Sequence, residues 1–204
     1  PAKIREIRIL GNKAFSERTL KGLFELNDGG WLNFYLKGDR YSRAKLNADL
    51  ETIRAYYQNR GYLEMDVEST QVAISPDKQE ITITINVREG QPYTVTGVKL
   101  EGDFLGKEDD FRTLVTIKPG DPYRASAVAE TTRAFVDRFG TFGYAFAKVE
   151  SRPEIDRLNG RVVVTLVAEP QRRVYVRRVN IAGNTRTRDE VIRREFRQFE
   201  SSWY

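Results

Sequence analysis

The chain has 204 residues, 40% hydrophobic and 31% charged, enough for small packed domains, and no apolar run reaches the ~18 residues of a transmembrane helix. It contains no histidine and no cysteine, which removes thiol nucleophiles, Ser-His and Cys-His pairs, disulfides and the commonest zinc ligands. The net charge of +5 belongs to the C-terminal end: residues 1–90 carry 14 positive and 13 negative side chains, 91–170 carry 11 and 12, and 171–204 carry 9 and 4. A nucleic-acid binder is expected to spread a basic face over its folded body, and this chain does not.

In chain order, Ile7-Arg8-Ile9-Leu10 alternates as a strand and ends at Gly11-Asn12. A helix is predicted next, with Leu20 and Phe24 on one face. Asn27 to Leu36, rich in aromatics (Trp31, Phe34, Tyr35), follows as a loop whose aromatics are expected to pack locally. Leu46, Leu50, Ile53 and Tyr57 mark an amphipathic helix of about five turns, closed by Gly61-Tyr62 where a left-handed cap is expected. Met65 to Ile74 reads as a strand, Ser75-Pro76-Asp77-Lys78 as a turn, and Ile81, Ile83, Ile85 and Val87 as a strictly alternating strand.

The same order then recurs. Val98-Lys99-Leu100 leads to Gly102-Asp103, and Phe111 and Val115 repeat the short-helix pair. Gly120-Asp121-Pro122-Tyr123 matches Gly38-Asp39-Arg40-Tyr41 at an offset of 82, with Val128, Thr132, Phe135 and Phe139 as the second long helix. Gly143-Tyr144, a strand from Phe146 to Glu150, a turn at Asn159-Gly160 and a strand from Val162 to Ala168 complete this copy. A third copy opens at Val179-Asn180-Ile181-Ala182-Gly183-Asn184 and reaches Tyr204 after one strand and one helix. Asn27 to Leu36 is an insertion in the first copy. The expectation is α+β: units of 1–90 and 91–170 and a truncated unit of 171–204, each full unit a βααββ arrangement with a three-stranded mixed sheet backed by two helices.

The unit order, with the Gly-Asn and Arg-Gly-Tyr landmarks, resembles the polypeptide-transport-associated (POTRA) domain family. The stretch Asp49-Leu50-Glu51-Thr52-Ile53-Arg54-Ala55-Tyr56-Tyr57, with Ser69-Thr70-Gln71-Val72, Pro119-Gly120 and Val176-Arg177-Arg178, is similar to the third, fourth and opening fifth periplasmic domains of outer-membrane protein assembly factors. The resemblance implies a periplasmic scaffold without enzymatic activity or cofactor. Its implied partners are unfolded outer-membrane protein clients, accessory lipoproteins and a C-terminal β-barrel of the same full-length chain, with no nucleic acid.

Several residues are singled out for function. Family likeness puts Asp66 to Ile74 at a sheet edge, where Asp66, Glu68, Thr70, Val72 and Ile74 would receive a visiting strand through backbone groups. Apolar alternation slips between Met65–Val67 and Val72–Ile74, which predicts a bulge near Glu68 to Gln71. In the third copy, Val174, Val176, Val179 and Ile181 form a strand lacking its own sheet partners, expected to add to such an edge of a neighbouring molecule. Arg186, Arg188, Arg193, Arg194 and Arg197 offer a basic surface for anionic lipid or an acidic partner. Glu108-Asp109-Asp110 reads as carboxylates favouring a helix start. Gly140-Thr141-Phe142-Gly143 carries the bare pattern of an RNA-clamping loop, the mark of an alternative reading as a basic RNA-binding α/β repeat, but it precedes a strand in a near-neutral unit.

Overall fold

The structure, a computed structural model, describes residues 1–32 and 40–171. Phe34 and Tyr35, the strand expected over Val174–Ile181 and the arginines from Arg172 onward therefore lie outside the described residues. The chain divides into two compact units, Pro1–Thr94 with Pro122–Ala125, and Val95–Asp121 with Ser126 onward.

The first unit runs β1 (Ala2–Leu10), α1 (Glu17–Lys21), β2 (Trp31–Leu32), α2 (Arg40–Gln58), β3 (Asp66–Ile74) and β4 (Glu80–Arg88). Its sheet has four strands in the order β2-β1-β4-β3, with β1 parallel to β4 and the other pairs antiparallel. The expected three strands are thus joined by a fourth of two residues. Ile81, Ile83 and Ile85 are fully buried beneath Leu46, Ile53 and Tyr57 of α2 and Leu20 of α1, as the 2.0 and 3.6 periodicities require.

The second unit runs β5 (Thr94–Gly102), α3 (Glu108–Arg112), α4 (Ala125–Thr141), β6 (Lys148–Asp156) and β7 (Arg161–Glu169), its sheet ordered β5-β7-β6. Val162, Val164 and Leu166 face a cluster of Phe104, Phe111, Phe135 and Phe139, whose rings meet at centroid distances of 4.5 to 5.9 Å. Thr131 is buried on the helix, one residue before the Thr132 that the periodicity indicates.

Two readings of the short helices change. α1 and α3 end at Lys21 and Arg112, so Phe24 and Val115 lie past them and are only partly buried. Ser16 caps the start of α1 by accepting from the Thr19 N–H, and the helix closes at Gly22 after little more than one turn. The insertion also moves. The Gly29 N–H donates to Ile4 C=O (2.6 Å) and the Ile4 N–H to Gly30 C=O (2.7 Å); in the second unit the Gly120 N–H donates to Val95 C=O and the Val95 N–H to Asp121 C=O, both at 2.8 Å. Gly29-Gly30-Trp31-Leu32 is therefore the counterpart of Gly120-Asp121-Pro122-Tyr123, and the extra residues follow Leu32. Of the local aromatics, Trp31 is exposed while its neighbour Leu32 is buried.

The glycine landmark has a steric origin. Gly11 and Gly102 adopt φ of +89° and +87°, and a Cβ at either would stand 2.2 Å from a backbone oxygen, that of Val87 or Ala168. Only glycine fits where each first strand ends against the end of its parallel neighbour.

Candidate functional site

Two observations fix which way the backbone of the first sheet faces. The Ile4 and Ile7 N–H groups point outward from β1, to Gly30 and Asp28, whereas the Lys3 N–H donates inward to Gln79 C=O (2.8 Å). Since backbone orientation alternates along a strand, Ile81, Ile83 and Ile85 present their amides to β1, and Thr82, Thr84 and Asn86 present theirs to β3. The partners of those three are Ala73, Gln71 and Ser69. Thr70, Val72 and Ile74 consequently turn their N–H and C=O groups away from β4, to the side of β3 where no strand pairs among the described residues.

The bulge falls within the predicted span. Val67 pairs with Val87 and Ser69 with Asn86, leaving Glu68 as the extra residue. It splits the five residues singled out in the sequence. Thr70, Val72 and Ile74 lie opposite buried Ile85, Ile83 and Ile81, on the helix side of the sheet; Asp66, opposite Arg88, lies on the other side with Glu68. Arg88 meets Asp66 at 3.8 Å and Glu68 at 4.0 Å, and Arg54 reaches Asp66 at 4.0 Å. This end of the edge is thus an exposed ionic cluster, and the other end carries half-buried Thr70 and Val72 and exposed Ile74.

The corresponding edge of the second unit differs. β6 pairs with β7 without interruption, so Glu68 has no counterpart there and the offset between copies drops from 82 to 81 beyond it. Pro153 stands opposite Val164, as Val72 stands opposite Ile83. The Asp103 N–H donates to Ala168 C=O (3.0 Å), so Ala168 faces the β5 side of β7; by alternation Val164 does too, and Pro153 faces off the edge. Proline has no N–H, so it interrupts the donors that a visiting strand would meet.

The POTRA family, described as surface antigen variable number repeat, matches residues 2–90 and 93–170. The chain belongs to the POTRA family. It is 33% identical over 204 residues to the outer membrane protein assembly factor BamA of Neisseria meningitidis serogroup B, covering all of this chain and 26% of that protein. It is 30% identical over 203 residues to BamA of Buchnera aphidicola, covering 99% of this chain and 33% of that one. The chain thus spans between a quarter and a third of the length of these relatives. A crystal structure of Haemophilus influenzae BamA POTRA3-5 superposes with a TM-score of 0.82 at 32% identity, covering 100% of this chain and 80% of that one.

Within the POTRA units, the other candidates resolve simply. Glu108, Asp109 and Asp110 occupy the first turn of α3, and Asp110 pairs with Arg138. Gly140 and Thr141 belong to the end of α4, and the Gly143 and Tyr144 N–H groups donate back to Gly140 and Phe139 C=O, so Gly140–Gly143 closes a helix instead of joining two. Among the described residues no cluster of acidic side chains is arranged to hold a metal, and no helix is long and apolar enough to cross a membrane. Sequence reasoning passed over Pro153, although a proline inside a predicted strand is a sign of an edge.

Proposed function

We propose that this chain is part of the periplasmic arm of an outer-membrane protein assembly factor, continuous in the full-length protein with a C-terminal β-barrel, and that it binds unfolded outer-membrane clients by strand addition. Likeness to BamA along the whole chain supports the setting. The observation that carries the binding mode is the off-edge disposition of Thr70, Val72 and Ile74. Backbone groups read no side chains, so such an edge accepts many sequences, as a machine handling diverse clients requires. Accessory lipoproteins would use the remaining surfaces, including the arginines from Arg186 to Arg197.

The test is capture of an unfolded outer-membrane protein by the chain and by a Val72→Pro variant whose folding is checked by circular dichroism. Capture should fall with the edge donor removed. Equal capture by a folded variant would refute docking on β3. Affinity should also fall only shallowly with salt, in contrast to the steep dependence of nucleic-acid binding.

A further inference from the structure

The first unit closes part of its own β1 edge with a side chain. Asp28 accepts the outward Ile7 N–H through Oδ1 (3.1 Å) and meets Lys21 Nζ through Oδ2 (3.1 Å). One carboxylate thus bridges an edge amide of the first strand and the cation that ends the short helix. Because Gly11 corresponds to Gly102 and Gly29 to Gly120, the second unit supplies counterparts for each group: Val98 for Ile7, Arg112 for Lys21, and Pro119 for Asp28.

The amide and the cation are both retained, and the carboxylate is not. Arg112 Nη1 reaches the Val98 C=O at 3.4 Å, which places that carbonyl on the side of β5 away from β7; the N–H of the same residue in an extended strand faces the same way. Among the described residues Arg112 forms no ion pair. Asp110 of the same helix is held by Arg138, and Glu108 and Asp109, one turn earlier on α3, are not paired with Arg112 among the described residues. Val98 and Leu100 are half-buried here, while their counterparts Ile7 and Ile9 are fully buried.

We infer that the Val98 N–H and the Arg112 guanidinium form a carboxylate-binding notch, filled by an acidic side chain on an extended segment of a partner protein. The bound carboxylate takes the place that Asp28 holds in the first unit, one oxygen on the amide and the other on the guanidinium. The partner's backbone then lies along Val98–Gly102 of β5, on the side where no strand pairs with it among the described residues. This site is separate from the β3 edge and does not depend on it.

The experiment follows amide NMR spectra of the chain during titration with a capped pentapeptide, Thr-Val-Asp-Val-Thr, and with its asparagine twin. The aspartate peptide should shift the Val98 amide saturably, and the asparagine peptide should bind roughly three- to five-fold more weakly. Arg112→Gln should erase that difference. Pro119→Asp should fill the notch from within, slowing hydrogen exchange at Val98 and preventing the peptide from shifting it. A Val98 amide unmoved by the aspartate peptide, equal affinities for the two peptides, or a difference surviving Arg112→Gln would each overturn the inference. So would a folded Pro119→Asp chain with unchanged exchange at Val98; should that variant fail to fold, the exposed Arg112→Gln substitution decides alone.

Discussion

Val72 and Pro153 occupy the same register position on the free-edge strand of their units, one opposite Ile83 and the other opposite Val164. The first edge offers an N–H there and the second does not. The two copies of one fold therefore present unequal edges, and Val72→Pro and Pro153→Val are reciprocal exchanges. Neither touches a ladder hydrogen bond, because both positions face off the sheet. Val72→Pro should weaken binding of an extended client peptide about five-fold, the equivalent of one net hydrogen bond of ~1 kcal/mol. Pro153→Val should strengthen peptide binding at the second unit, seen as peptide-induced amide shifts along β6. No change in either variant would show that these edges are not used.

Asp49 and Thr131 are also counterparts, both buried on the long helix of their units. Thr131 bonds back within its own helix to Ala127 C=O (2.9 Å), whereas Asp49 accepts the Glu25 and Leu26 N–H groups, both at 2.9 Å, and so anchors the chain entering β2. Asp49→Ala leaves those two amides without their acceptor and should cost about 2–4 kcal/mol. Asp49→Asn keeps one carbonyl acceptor and should lose about half as much. Urea unfolding of the three chains checks both values.

Gly11→Ala and Gly102→Ala should each destabilise the chain by about 3 kcal/mol or more, combining left-handed strain with a clash against a main-chain oxygen. Gly97 supplies the control. A Cβ there meets nothing within 4 Å, and Gly97→Ala should stay within about 0.5 kcal/mol of the unaltered protein. Thermal melting distinguishes the two classes.

The alkaline limb of stability should depend on two tyrosines. Burial, reinforced by donation of the Tyr57 hydroxyl to Glu89 Oε2 (2.6 Å), raises the Tyr57 pKa well above that of a free phenol; burial raises Tyr123 as well. Both groups stay protonated in the folded chain where the unfolded chain ionises. The stability they contribute is complete below about pH 10 and is lost as pH rises beyond it, by up to ~1.4 kcal/mol per pH unit for each group. Tyr57→Phe and Tyr123→Phe should each flatten that slope in denaturant titrations from pH 9 to 11. Unaltered slopes would contradict the assignment.

Periodicity carried much of this fold. The 4-3-4 spacing of Leu46, Leu50, Ile53 and Tyr57 and the alternation of Ile81, Ile83, Ile85 and Val87 are local patterns that burial on one face imposes directly, so helix and strand could be read from them. The slip in apolar alternation likewise revealed the bulge that the register assigns to Glu68. Other features arise from contacts between segments distant in sequence. Phe24 and Val115 match the spacing of a helix that has already ended, because the chain tightens into i→i−3 turns after Gly22 and Thr113. The counterparts of Gly29 and Gly30 became visible only through their hydrogen bonds to Ile4, since aligning Gly-Asp pairs favours a different match. The equivalence of Val72 with Pro153, and of Asp28 with Pro119, depends on which backbone groups face outward. That direction is set by strand order and register across the whole sheet, which no local stretch of sequence contains.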